Sequence, residues 1–209
     1  MTAVADNLYG LILAGGHSKR MGQDKSVLIY HGKTQIEHAY DLLSPFCAKV
    51  FVSNRADQAG QKGHEHLPQV HDLPQFSGIG PLAGILSAMT TYPKTSWLVF
   101  ACDLPFITPE AIDYLIGLRN PDQFATAFIS SYPPPEPSPQ GGGKFPEPLC
   151  AIWEAHGRRD IEQFLREGIQ CPRKILLKSN VHLIIQKDPR WLDNVNTPQE
   201  YEQALKNIH

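Results

Sequence analysis

The chain has 209 residues, 42% of them hydrophobic and 19% charged, with a formal net charge of −2 at pH 7. That balance fits one α/β domain of ordinary size with a substantial core, and it excludes an intrinsically disordered chain. The near-neutral charge also argues against a general nucleic-acid binder, which would carry a strongly basic face.

Leu8 to Ala14 is an apolar run and reads as a buried strand. It breaks at Gly15-Gly16, and the following segment carries the cations Lys19, Arg20 and Lys25. A glycine turn at a strand's C-terminal end lets backbone N–H groups converge on an anion, because no Cβ blocks the approach. Arg20 can fork onto phosphate oxygens, and Lys25 can supply a mobile point charge. Strand, glycine turn, arginine and lysine in that order read as a triphosphate cradle. The competing reading is an ordinary strand-to-helix turn with solvated cations. Two better-known phosphate loops are excluded. No Gly-Lys-Ser/Thr follows Gly15 at P-loop spacing, and Gly32-Lys33-Thr34 lacks the glycine five residues earlier. The dinucleotide fingerprint fails because His17 and Ser18 follow the glycine pair.

Thr34-x-x-Glu37 forms a capping box for a helix through Leu43. Lys49 to Ser53 reads as the second strand, and Gln69-Val70-His71 as a short third strand ending at Asp72. Leu82 to Met89 is a helix of small residues. Trp97 to Ala101 is a buried fourth strand, followed by Cys102 and Asp103. Thr108-Pro109-Glu110 opens a helix with Thr as N-cap and Pro in the first helical position. Ala125 to Ile129 continues the sheet. Tyr132 to Pro148 is dense in proline and glycine, and is expected to be a mobile loop without regular structure. Leu149 to Trp153 returns to strand, and Ile161, Phe164 and Leu165 mark one face of a helix. Val181 to Ile185 is a late strand, and Thr197-Pro198-Gln199-Glu200 caps the final helix. The alternation predicts a mostly parallel mixed sheet with helices on both faces, in a single domain spanning 1–209.

Cys47, Cys102, Cys150 and Cys171 are widely spaced, with no C-x-x-C pair, which fits reduced cytosolic thiols rather than disulfides or zinc. The N-terminus has no signal-peptide pattern and no apolar run spans a bilayer, so the expected location is the cytoplasm.

Ligands of open α/β sheets bind outside the carboxyl ends of the strands. The residues there are Gly15 and Gly16, Ser53 and Asn54, Asp72, and Asp103. Asp103 is placed to bind Mg²⁺, a hard cation held by few protein oxygens plus phosphate, or else to cap the turn before Leu104-Pro105. The cationic loop on the same edge favours the metal. Gly78-Ile79-Gly80-Pro81-Leu82-Ala83-Gly84 is a second glycine-rich turn, suited to close approach of a flat base or to tight helix packing. In Asn194-Val195-Asn196-Thr197-Pro198, the Asn side chains can cap the helix or offer oxygen to a metal, while Thr197 reads as a cap. His64-Glu65-His66 has the donor types of a zinc site without its spacing, and reads as a polar surface loop.

The segments Leu13-Ala14-Gly15-Gly16-x-Ser18-x-Arg20-Met21-Gly22-x-Asp24-Lys25, Gly80 to Gly84, Cys102-Asp103-Leu104-Pro105, Glu147-Pro148-Leu149 and Asn194 to Pro198 together resemble the molybdenum cofactor guanylyltransferase (MobA) family. The resemblance runs in order from about Leu8 to the C-terminal helix; Tyr132 to Lys144 is longer and richer in proline than the family's pattern. It implies a three-layer, Rossmann-like nucleotidyltransferase fold that transfers GMP from GTP to the terminal phosphate of Mo-molybdopterin, releasing pyrophosphate. It implies that Leu13, Ala14, Gly15, Gly16 and Lys25 contact GTP, as does Asp72, and that Asp103 binds both GTP and Mg²⁺. The family's Asn after the second strand falls on Ser53 or Asn54. Arg20 and Lys25 would neutralise the leaving pyrophosphate, and Asn194 and Asn196 would lie on the acceptor side. Molybdopterin-handling proteins and recipient molybdoenzymes are the implied partners. Gly15, where cytidylyl relatives tend to carry Ala, points to GTP over CTP. The alternatives are a cytidylyltransferase, a sugar-phosphate nucleotidyltransferase and a catalytically silent nucleotide-binding regulator.

Overall fold

The computed structural model of the chain describes residues 5–14, 28–55, 58, 65–130, 145–195 and 197–207. Its strands are β1 (Ala5–Leu13), β2 (Cys47–Asn54), β3 (Gln69–His71), β4 (Ser96–Ala101), β5 (Ala125–Ser130), β6 (Phe145–Trp153) and β7 (Val181–Ile184). Its helices are α1 (Gln35–Leu43), α2 (Pro81–Thr91), α3 (Pro109–Gly117), α4 (Arg158–Arg166), α5 (Pro172–Lys178) and α6 (Pro198–Asn207). The strands form one sheet in the order β3-β2-β1-β4-β6-β5-β7. β3, β2, β1 and β4 run parallel, β6 is antiparallel to both β4 and β5, and β7 is parallel to β5.

The sequence pattern explains the layering. Every residue of β4 is buried. Leu98 and Phe100 join a core with residues of α1 and α3, while Trp97 and Val99 join the opposite core with residues of α2, α4 and α5. A parallel strand covered on both faces reads as a continuous apolar run, which is why β1 and β4 were legible. The predicted caps are present. Thr34 Oγ1 accepts from Glu37 N–H at 3.3 Å, and Thr34 N–H donates to Glu37 Oε2 at 3.0 Å. Thr197 and Glu200 repeat that box ahead of α6 at 3.1 and 3.2 Å. Among the described residues no helix is long and apolar enough to cross a membrane.

One expectation is corrected. Phe145-Pro146-Glu147-Pro148, assigned to a mobile loop, is the first part of β6. Pairing with β4 reaches only Phe100 opposite Cys150, so this part of β6 has β5 alone beside it, through Ile129–Pro146 and Ser130–Phe145. A proline that lacks a donor is tolerated on such a one-sided stretch. The register also shifts between the pairs Ala127–Ala151 and Ile129–Pro146, so Glu147-Pro148-Leu149 sits in a bulge. The rest of the expected loop, Tyr132 to Lys144, lies outside the described residues. α5 was not anticipated from the sequence.

Candidate active site

The parallel register brings four strand ends to one edge. Leu13 lies between Ser53 of β2 and Ala101 of β4, and Asn54 lies beside His71 of β3. Ala14 N–H donates to Ser53 O at 3.1 Å, so β1 stays joined to β2 up to the residue before Gly15. Gly15, Gly16, Arg20 and Lys25 lie outside the described residues. Leu28 and Tyr30 are buried with Val195 and Ala204 of the C-terminal region. Tyr201 donates its hydroxyl to Ile29 O at 2.8 Å, tying α6 to this segment. Burial raises the Tyr30 pKa, with smaller contributions from Tyr201, Asp103 and Glu200.

Successive strand residues point to opposite faces, and this separates the two candidates for the family's Asn. Ser53 faces α2, where a Cβ added to Gly84 would stand 2.2 Å from Ser53 Oγ and 3.0 Å from Leu13 Cδ2. Only glycine permits that approach. Asn54 instead donates Nδ2–H to Gln69 Oε1 at 3.0 Å, and its Oδ1 accepts from His71 Nδ1 at 2.6 Å. Asp72 continues the edge, its N–H donating to Asn54 O at 3.0 Å. The next N–H, of Leu73, donates to the buried Ser87 hydroxyl on α2 at 2.8 Å. Burial pushes the Asp72 carboxyl above the ordinary carboxylate range, against the opposing pull of Arg55 and His71.

Asp103 follows β4, and its backbone oxygen accepts from Val195 N–H at 3.1 Å. That bond brings Asn194 to the same mouth. Both residues line a cavity of about 740 Å³ that also takes in Gly78 to Pro81, Glu147 to Leu149, and Arg173 and Lys174 of α5. Gly78 and Gly80 hold φ of +84° and +63°, and Gly80 and Pro81 begin α2 at the cavity rim. Asn196 and His64 lie outside the described residues. Glu65 and His66 are exposed, and no cluster of three or more metal-ligating side chains occurs among the described residues.

Glu147 belongs to the Glu147-Pro148-Leu149 motif of the resemblance without a role assigned to it, whereas Arg173 and Lys174 of the cavity wall lie in no motif. Glu147 Oε2 accepts from Arg173 Nη2 at 3.1 Å, and Glu147 Oε1 accepts from Leu149 N–H at 3.2 Å. Burial pushes the Glu147 carboxyl up, Arg173 pulls it down, and the neighbouring charge of Asp103 pushes it up again. The available signal was Pro172-Arg173-Lys174, a proline that can open a helix followed by two cations.

The MobA-like NTP transferase domain family matches residues 10–182, which contain every strand end of this edge. The chain belongs to that family. A relative from Synechocystis, the "Molybdenum cofactor biosynthesis bifunctional protein", is 36% identical over 94% of this chain. This chain spans about half, 53%, of that relative's length. A Bacillus cereus "Probable molybdenum cofactor guanylyltransferase" is 30% identical, with 95% of this chain and 96% of the relative covered. Among solved structures, the "Molybdopterin-guanine dinucleotide biosynthesis protein A" of Archaeoglobus fulgidus superimposes with a TM-score of 0.72 at 24% identity, over 95% of this chain and 97% of the other. That likeness shows a shared fold.

Proposed function

We propose that this protein is an enzyme transferring GMP from GTP to Mo-molybdopterin, with pyrophosphate as the second product, the chain 1–209 acting as one domain in the cytoplasm. The names of its Bacillus and Synechocystis relatives support the reading. The observation that carries it is the cavity of about 740 Å³ opening beside Asp103, next to the edge formed by β1, β2 and β3. A nucleotide along that edge would have its phosphates directed at a second chamber large enough for an acceptor.

In this reading Leu13, Ala14, Gly15, Gly16 and Lys25 contact GTP, with Ser53 or Asn54 and Asp72 at the neighbouring strand ends. Ser53 packs its side chain against Gly84 of α2, while Asn54 is engaged with β3. The acceptor's terminal phosphate oxygen attacks the α-phosphorus, and the bond to the bridging oxygen breaks to release pyrophosphate. Arg20 and Lys25 neutralise the leaving group. No covalent enzyme intermediate is required, so positioning and charge supply the catalysis.

MobA-like nucleotidyltransferases generally use a divalent metal. The donors here fit Mg²⁺, which takes one or two carboxylates and completes its shell with water and phosphate oxygens. Asp103 would hold it, with Asn194 and Asn196 beside the acceptor phosphate. When bound, the cation neutralises charge on the reacting phosphates. Molybdopterin-handling proteins would supply the acceptor, and molybdoenzymes would receive the product.

The test is incubation of the purified protein with GTP, Mg²⁺ and Mo-molybdopterin, with the product identified by mass and pyrophosphate followed in parallel. The expected product is the guanine dinucleotide. A higher kcat/KM with CTP overturns the guanylyl assignment and leaves nucleotidyl transfer standing. GTP binding without pyrophosphate release leaves a nucleotide-binding regulator.

A further inference from the structure

We propose that Glu147 is a positioning residue for the acceptor's phosphate, holding the Arg173 guanidinium at the cavity wall as an anion receptor. The inference rests on the reaction proposed above and concerns residues that the sequence pattern does not connect, 26 positions apart.

Glu147 stands in the β6 bulge and is nearly buried, its side chain 13% exposed. One oxygen fixes the bulge by accepting from Leu149 N–H, and the other accepts from Arg173 Nη2. Arg173 is 22% exposed and lines the cavity. A guanidinium carries five N–H donors, and Nη2–Glu147 is the one side-chain bond that Arg173 makes among the described residues. A tethered, preorganised fork with donors to spare suits a phosphate dianion.

The same cavity contains a second carboxylate, Asp103, close enough to perturb Glu147 electrostatically. An untethered arginine in that space would be drawn to Asp103 and would compete with a metal there. By pairing with Arg173, Glu147 keeps the two charges apart. The pairing leaves the remaining Arg173 donors to the acceptor.

The experiment measures steady-state kinetics of the full-length protein with GTP and Mo-molybdopterin for Glu147→Gln, Glu147→Asp, Arg173→Ala and the double variant Glu147→Gln/Arg173→Ala. Calorimetric binding of Mg²⁺–GTP is measured on each. Glu147→Gln is expected to raise the acceptor KM about tenfold, the scale of one charge-assisted hydrogen bond, with a smaller change in kcat and unaltered GTP binding. Glu147→Asp should recover part of the loss, and the double variant should be no worse than Arg173→Ala alone, because Glu147 acts through Arg173. Additive losses, an unchanged acceptor KM in Glu147→Gln, or a parallel loss of GTP binding would each overturn the assignment. If the unaltered protein binds GTP but makes no dinucleotide, the proposed reaction fails and this inference with it. Normal turnover with an indifferent Glu147 overturns the inference alone.

Discussion

Strand β6 has a glutamate–arginine pair near each end, Glu147–Arg173 at the cavity and Glu154–Arg119 at the opposite edge of the sheet. Glu154 is 3% exposed and receives Arg119 in a bidentate fork, Nε to Oε1 at 2.8 Å and Nη2 to Oε2 at 2.7 Å. Ser96 adds its hydroxyl to Oε2 at 2.6 Å. In the same half of the sheet Tyr9, Phe51, Tyr92 and Trp97 pack together, with ring centroids between 5.2 and 5.9 Å apart. The Glu147 pair is joined by one hydrogen bond, with Leu149 N–H on the other carboxylate oxygen, and it lines the cavity. A buried carboxylate contributes to stability when its oxygens meet donors, whereas a binding site must leave donors unspent.

The contrast extends to the neighbouring residues. The site edge carries desolvated Asp72 and Glu147, and Gln35, at the start of α1, is fully buried with neither side-chain amide atom bonded among the described residues. Among the described residues the opposite edge has unbonded buried atoms too, Trp97 Nε1 and Thr90 Oγ1 near the end of α2. What sets the site edge apart is its pair of desolvated carboxyls, not its unbonded amides.

The sharpest way to break this comparison is Glu154→Ala. It leaves Arg119 buried without its partner and should cost about 3–5 kcal/mol in urea unfolding, with the acceptor KM unchanged. A loss below about 1 kcal/mol would mean that the closed pair is no better than a surface one. Asp103→Asn makes the complementary test. Turnover should fall about 10²–10³-fold, the scale of a lost electrostatic contact to a reacting group, while the melting temperature stays near that of the unaltered protein. Retained turnover with a lowered melting temperature would assign Asp103 to the turn instead.

A third prediction concerns His38 on α1, stacked on His31 with ring centroids 3.8 Å apart. Burial, then His31 and Lys33, lower its pKa from 6.5 to about 4, with Asp41 opposing. The unfolded chain therefore binds a proton between those values that the folded chain does not, so stability is lost as pH falls from 6.5 towards 4. Replacing His38 by Phe should flatten this part of a melting-temperature profile, by on the order of 1 kcal/mol after allowance for the half-exposed ring. An unchanged acid slope would place the loss elsewhere. The smallest effect is expected from Gln35→Met, which replaces an unbonded buried amide by an apolar chain of similar length. It should stabilise the protein by about 1 kcal/mol in denaturant unfolding. Destabilisation would show that the amide has a partner in solution.

Much of this architecture was legible because its signals are local. The limits of β3 are those read from the sequence, and Thr34 and Glu37 make the capping box that their spacing announced. The apolar runs of β1 and β4 declared strands covered on both faces. The first part of β6 was not legible, because two prolines argue against a strand unless one side of it is known to be unpaired. α5 was hidden for a different reason. Seven residues opened by proline carry little periodicity, and the burial of Ile175 and Leu176 against the sheet holds that segment in a helix.

The sequence by itself determined the alternation of elements, the strand-end positions of Leu13, Asp72 and Asp103, and the glycine at 84 that a close approach requires. These depend on residues a few positions apart, whose periodicity and backbone freedom act before any distant contact forms. Only the tertiary structure decided that Ser53 turns to α2 while Asn54 turns to β3, since the register of β2 between its neighbours sets that choice. It alone brought Glu147, Arg173, Asp103 and Asn194 to one cavity. Those residues come from segments far apart in the chain, and long-range packing, which no local pattern encodes, is what makes them neighbours.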